Sequence, residues 1–250
     1  MQYESAQYQI TYEYKYAKDA KYPDAKRTAV TILRIGTQHN MFIDYGQLTF
    51  DSISASIARG ESQAISSGPK LIGALKSIGL RELILLNRET KKEFIQCEPG
   101  GVQRYQYEED TPQLKWELLQ GDSTIAGYQC QKAKTRLFGR DYIAWYAPDV
   151  ELPYGPYKFC GLPGLIFKVQ DTQNNFIFTL TGLQKVKSYT PIYMYDKSAV
   201  TKSTRKTVRQ MYKNYCADPI KALTGDGSIT VSADVAATVK AKPYNPIELE

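Results

Sequence analysis

Gly155-Pro156-Tyr157-Lys158-Phe159-Cys160-Gly161-Leu162-Pro163-Gly164-Leu165-Ile166-Phe167-Lys168-Val169 changes character half-way along its length. Gly155-Pro156 and Pro163-Gly164 punctuate the first part. Proline fixes φ and glycine reaches positive φ without a Cβ clash, so both dipeptides mark turns. Between them Tyr157, Phe159 and Leu162 are too large and apolar for a loop in water, which predicts a loop pinned onto a core. After Gly164, Leu165, Phe167 and Val169 alternate with Ile166, Lys168 and Gln170, the period of a half-buried strand. Glycine and proline report geometry first, so the stretch reads foremost as a structural corner feeding a central strand. A rigid ligand loop that exposes its backbone is the functional alternative.

The same alternation recurs on either side. In residues 6–18, Tyr8, Ile10, Tyr12, Tyr14 and Tyr16 share one face, and Gln7, Gln9, Thr11, Glu13 and Lys15 the other. Further strands are expected at about 27–36, 39–45, 81–87, 91–97, 102–108, 114–119, 128–137, 140–147, 164–170 and 176–183, between turn signals such as Pro99-Gly100-Gly101, Gly121-Asp122 and Phe138-Gly139. Short strands at close spacing argue for hairpins rather than βαβ units. Such sheets twist and tend to curl. The expected fold is therefore mainly β (α+β), an antiparallel meander forming a strongly curved sheet or partly open barrel, with one or two short helices. Helical spacing occurs at 50–59, at 71–78 and at 204–217, where Val208, Met211, Tyr212 and Tyr215 make a loose stripe that would lie against the sheet or plug its concave side. Residues 1–220 read as one β-rich domain. Residues 221–250 read as a partly ordered tail with one weak strand at Ile229–Ser232.

Composition narrows the function classes. Twenty tyrosines against two tryptophans and eight phenylalanines suit strands that place an apolar ring on a sheet and a hydroxyl in water. The net charge of +6 is spread among acids with no long basic run, which fits a solvated mixed surface. Lysine–tyrosine alternation at 12–18 and 185–195 is ordinary for strands, so no nucleic-acid partner is expected. No apolar run approaches the roughly 20 residues that span a membrane, so the chain is not read as transmembrane.

Several motifs point to one family. Gly161-Leu162-Pro163-Gly164-Leu165-Ile166 reproduces the hexapeptide that names the GLPGLI family of secreted bacterial proteins. Gly127-Tyr128-Gln129-Cys130-Gln131-Lys132-Ala133 resembles its GYxCxKA strand, and Gly139-Arg140 with Ala144-Trp145-Tyr146 resembles its GR…AWY hairpin. Gly155-Pro156-Tyr157-Lys158-Phe159 is similar to its GPxKF lead-in, and Tyr244-Asn245-Pro246-Ile247-Glu248 to its tail. The resemblance is firm from about Trp116 to Leu183. It implies export to the periplasm or beyond after removal of a signal peptide, and it carries no activity. In that compartment a disulfide becomes plausible. Of the cysteines 97, 130, 160 and 216, Cys130 and Cys160 both sit in the region around the central loop and are the expected pair.

Catalytic signals are sparse. His39 is the single histidine, and its neighbours form no nucleophile or metal motif. No C-x-x-C spacing appears, so neither a metal site nor a cofactor is expected. Glu108-Glu109-Asp110 reads as a solvated strand end before it reads as a carboxylate pair. Arg140, Asp141 and Trp145 make a better candidate. Arg140 is suited to a turn-fixing pair with Asp141 or Glu151 first, and otherwise to a buried ion pair or an anionic ligand. With Tyr157, Phe159, Gly161, Leu162, Pro163 and Gly164 they form the candidate binding or structural loop. The leading functional expectation is a non-enzymatic envelope scaffold that binds an apolar or lipid-like small molecule or an envelope protein. The alternatives are an assembly component, marked by an unpaired strand edge, and a hydrolase using Asp141, Glu151 or Glu109.

Overall fold

A computed structural model describes residues 1–100, 103–225, 227 and 229–249. The strands are β1 (Gln2–Ser5), β2 (Tyr8–Ala17), β3 (Lys26–Ile35), β4 (His39–Asp44), β5 (Glu82–Asn87), β6 (Lys92–Cys97), β7 (Tyr105–Asp110), β8 (Glu117–Ile125), β9 (Tyr128–Leu137), β10 (Arg140–Ala147), β11 (Leu165–Asp171), β12 (Phe176–Lys185), β13 (Pro191–Tyr193) and β14 (Thr201–Lys202). The α-helices are α1 (Tyr45–Ala58), α2 (Ala64–Ser77), α3 (Arg205–Ala217), α4 (Pro219–Thr224) and α5 (Ala233–Thr238). The chain is mainly β, with 40% of residues in strands.

Twelve strands form one sheet in the order β14-β7-β6-β5-β4-β3-β2-β12-β11-β10-β9-β8. It consists of two antiparallel meanders, β2 to β7 and β8 to β12, joined where β12 pairs with β2. The small β14 adds in parallel to β7. The connection between the meanders forces the shape. Ten strand-to-strand steps separate β7 from β8, which in a flat sheet is about 48 Å. Residues 111–116 must bridge that gap, and a fully extended chain of that length reaches about 25 Å. The sheet therefore curls until its two ends approach each other, without closing.

Contacts on the inside of the curl agree. The loop after β10 touches Phe42 of β4 through Tyr157, with ring centroids 6.4 Å apart, and Tyr142 of β10 through Phe159 at 4.7 Å. Those strands lie five steps apart in the sheet, so only a concave surface lets one loop reach both. Ile10, Tyr12, Tyr14, Phe42, Ile84 and Phe178 line this inner core with Tyr157, Phe159 and Leu162. A second core on the opposite face joins Ile32, Met41, Ile43, Leu83 and Leu85 to Ile192 and Met194. β13 pairs there with β1 as a separate ribbon. Leu83-Ile84-Leu85 is thus a continuous apolar run because β5 is buried on both faces.

Several expectations need correction. The two early helices begin sooner than their apolar spacing indicates, at Tyr45 and Ala64, and pack on each other. Asp44 sets the first start, because its carboxylate caps Gly46 N–H and also accepts from Gly79 and Leu80. The turn expected at Gly121-Asp122 is instead a register shift within β8, between Leu119 and Ser123. Ile229–Ser232 forms no strand. The strand expected at 102–108 starts at Tyr105, and residue 102 lies outside the described residues. The polar tail ends in a packed strap at 243–249, where Asn245, Ile247 and Glu248 are buried. No helix among the described residues is long and apolar enough to cross a membrane.

The central loop is a tight corner, as its turn dipeptides require. Tyr154 bridges Cys160, and the amides of Leu165 and Ile166 bond back to Val150 and Tyr154. At Gly164, φ is +155° and a Cβ would sit 2.2 Å from the Ala147 carbonyl oxygen. At Gly161, φ is +90° but the nearest atom to a Cβ is 3.9 Å away. Gly164→Ala should therefore lose about 2–4 kcal/mol, and Gly161→Ala only about 1 kcal/mol. Thermal unfolding of both variants measures the difference, and equal losses would contradict the corner geometry.

Candidate functional site

Lys158 leaves the central loop pointing inward, with its side chain fully buried. Its Nζ donates to Glu109 of β7 at 2.5 Å and to Glu248 of the strap at 2.7 Å. α3 brings Arg205 to Glu248 at 2.9 Å and Arg209 at 3.4 Å. The Tyr157 hydroxyl donates to the same carboxylate at 2.6 Å. Burial by itself would lower the Lys158 pKa, but the carboxylates of Glu248 and Glu109 outweigh it and raise the value. Burial opposes ionisation of Glu248 too, and Lys158 with Arg205 holds it below its ordinary value.

Two further acids border this cluster without such support. Burial, followed by repulsion from Glu248, pushes Glu82 up to about 7. Burial pushes Glu93 up to about 8. Glu93 faces Asn40 across a void of about 20 Å³ beneath the loop, and Glu93 Oε2 and both polar atoms of the Asn40 side chain have no protein partner. That space is the size of a water molecule.

Between the strap, α3 and the sheet lies a cavity of about 540 Å³. Tyr14, Tyr107 and Phe176 line its depth, and Tyr212 of α3 forms part of its wall. Lys18, Arg81 and Lys242 are exposed at its border. The Lys18 pKa is lowered by burial and then by the like charges of Arg27, Lys242 and Arg81, so the border carries crowded positive charge. Its lining combines aromatic side chains with several charged ones, Glu82, Glu98, Arg209 and Glu248 among them, and a concave site of this size accommodates a small molecule.

Residues singled out from the sequence divide between core and surface. Arg140 is buried, but it pairs with neither Asp141 nor Glu151. It meets Asp171 at 3.4 Å, the Asn245 side-chain oxygen at 2.6 Å and the Pro246 carbonyl at 2.7 Å. Asp141 is instead 59 % exposed beside Arg136, because alternate residues of β10 face opposite ways. Glu151 is exposed, while Glu109 lies with Lys158. Trp145 sits on the outer face of the sheet between Lys132 and Lys168. Tyr157, Phe159 and Leu162 are core, Gly164 is buried against Ala147, and Gly161 and Pro163 are exposed. The expected Cys130–Cys160 disulfide is not formed, and all four cysteines are free thiols. Cys130 is held inside β9 with its thiol directed at the Tyr128 carbonyl, whereas Cys160 bridges Tyr154 across the loop. His39 is bound up structurally, its ring tilted against Tyr3 and contacting Glu4 at 3.2 Å.

The site residues that sequence reading missed are Lys158, Glu248, Glu82, Glu93 and the cavity wall. Lys158 carried a usable signal, a lysine between two core aromatics in a loop too apolar for solvent. Tyr244–Glu248 carried another in the motif resemblance. In the structure those two segments and Arg140-Asp141-Tyr142 converge, for the Tyr142 hydroxyl donates to the Ile247 carbonyl.

No protein-family model matches the chain, and no curated protein matches it. Its fold is similar to solved structures of PNGF-II in P21 and C2 crystals, with TM-scores of 0.53 and 0.51. Each is 14% identical, over 85% and 84% of this chain and 34% and 33% of that one. The chain thus spans about a third of PNGF-II, and at this identity the likeness is one of fold alone. An uncharacterised conserved protein from Thermus thermophilus aligns at 9% identity over 80% of this chain and 91% of that one, with a TM-score of 0.39.

Breaking the buried cluster from one side should be severe. Lys158→Met is expected to lose about 3–5 kcal/mol in chemical denaturation, because it strands the carboxylates of Glu109 and Glu248 in the interior. A second expectation concerns pH. Glu82 and Glu93 have folded pKa values of about 7 and about 8 against an ordinary 4.5. Between those limits the folded chain binds more protons than the unfolded one, so their contribution to stability falls as pH rises from about 4.5 to about 8. Glu248 and Glu4, both held below 4.5, act in the opposite sense at lower pH. Stability measured across pH 5–8 should decline in the native chain and decline less in Glu93→Gln; identical slopes would refute the assignment.

Proposed function

We propose that this chain is a non-enzymatic β-scaffold protein of the bacterial cell envelope that holds a lipid-like, amphipathic small molecule. The observation that carries the reading is the cavity of about 540 Å³ under the strap and α3, large enough for a ligand of drug or fatty-acid size. Its deep aromatic lining suits an apolar body. Lys18, Arg81 and Lys242 at its border suit an anionic head, which would relieve their mutual repulsion. The motif resemblance to the GLPGLI family supports the envelope setting. A second reading, an assembly component, is favoured by β8, whose outer edge has no strand partner among the described residues and whose Leu118 is 65 % exposed.

A long-chain fluorescent fatty acid is the probe. It should bind one molecule per chain and weaken as salt is added. Val208→Trp, which fills the cavity from α3, should reduce affinity about tenfold or more. Lys18→Glu with Lys242→Glu should weaken the acid but not the matching alcohol. Absence of binding, or binding indifferent to Val208→Trp, would sink the reading. A second protein travelling with the chain in native mass spectrometry would move support to assembly.

A further inference from the structure

We infer that the inner end of this cavity selects ligands bearing a hydroxyl remote from the anionic head, and that the carboxyl group of Glu82 is the group that reads it. The inference deepens the cavity reading and rests on it. Glu82 is the first residue of β5, opposite Cys97 of β6, and its side chain is part of the cavity lining beside Tyr14, Tyr107 and Phe176. Of the three acids in the lining, Glu98 is paired with Arg104 and Glu248 with Lys158 and Arg205, whereas Glu82 has no ion pair of its own among the described residues; Lys18, Arg81 and Lys242 stand exposed at the border. The exposed border is thus basic, and Glu82 is the acid of the lining that no cation has claimed. A ligand that fits carries negative charge at one end, an apolar body, and a hydrogen-bonding group at the other.

Glu82 has unspent hydrogen-bonding capacity. Its Oε2 is buried with no hydrogen-bond partner. The adjacent donor, the Tyr157 hydroxyl, has one proton to give and places it on Glu248 at 2.6 Å. Lys158 is likewise directed to Glu109 and Glu248. The short bonds of the network thus go to Glu109 and Glu248, and Glu82, although Tyr157 and Lys158 act on it, keeps an unpartnered Oε2. A buried carboxyl oxygen without a partner is unfavourable until one arrives. A wholly apolar ligand would bury it further, and a hydroxyl would pair with it.

The partner class follows from the surroundings. An ammonium would have to pass the positive border, and its charge would find Glu82 largely or half protonated near neutral pH, since its pKa lies at about 7. A second carboxylate would be repelled by Glu248, whose negative charge already acts on Glu82. A hydroxyl can donate to the ionised carboxyl and accept from the protonated one, so it pairs with Glu82 in either state. Sites built to bond a substrate hydroxyl discriminate strongly against the analogue that lacks it, because the protein group is then stranded.

The test compares a long-chain fatty acid with the same acid carrying a hydroxyl at the far end of its chain, both titrated calorimetrically into the full chain. The native protein should prefer the hydroxy acid about tenfold or more. Glu82→Leu should abolish or invert that preference while salt still weakens both ligands. Glu82→Met provides the same removal with a more adaptable side chain should the leucine fail to fold. Equal affinities in the native protein overturn the inference and leave the cavity reading standing, as does a preference that survives in a folded Glu82→Leu or Glu82→Met. Failure of both acids to bind sinks the cavity reading and the inference together.

Discussion

Seven residue steps take the chain from Asp110 to Glu117, and these residues belong to strands ten places apart in one sheet. Backbone reach allows that only if the sheet is bent almost into a ring. The other features of the molecule inherit this bend. It creates an inner surface that twelve strands could not otherwise have, and that surface needs filling. The loop at 148–164 enters it from between β10 and β11, with Tyr157 against Phe42 and Phe159 against Tyr142. α3 and the strap at 243–249 cover another part and leave a cavity beneath them.

The polar contacts inside the bend link its distant parts. Lys158 ties the loop to β7 through Glu109 and to the strap through Glu248. Arg140 ties β10 to the strap and to Asp171, whose carboxylate also accepts from Asn175 and Phe176 at the start of β12. Asn245 in turn donates to Ala17 and Asn175. Buried charges stabilise little by themselves against a hydrophobic substitute, because desolvation offsets the Coulomb gain. Their directional bonds do specify which segments meet. The strap is short and weakly apolar, and this network supplies the fixed register that packing alone would leave loose.

Much of the architecture was legible in the chain itself. Tyr8 to Tyr16 alternates so strictly that one face had to be core, and Ile10, Tyr12 and Tyr14 are buried. Glycine and proline marked the loop as a corner, and its apolar residues marked it as buried. The functional part was less legible. Arg140 and Asp141 are adjacent in sequence, yet strand pleat sends one to the strap and the other into solvent. Cys130 and Cys160 belong to the same region of sequence, yet one is held in β9 and the other in the loop. Glu82 and Glu93 carry no distinguishing signal in the sequence, because alternation gives a face and does not say what covers it.

By itself the sequence determined a curling antiparallel sheet, its periodic inner face and a rigid apolar corner between two strands. Those properties depend on side-chain period, turn chemistry and φ preferences, all of which act within a few residues. Only the tertiary structure decided that Lys158 lies between Glu109 and Glu248, that the strap is packed, and that a cavity lined by aromatic and charged side chains lies beneath it. Each of these joins residues from remote parts of the chain, brought together by the bend of the sheet. Coulomb attraction and burial act on distances in space, and a linear order of residues does not contain those distances.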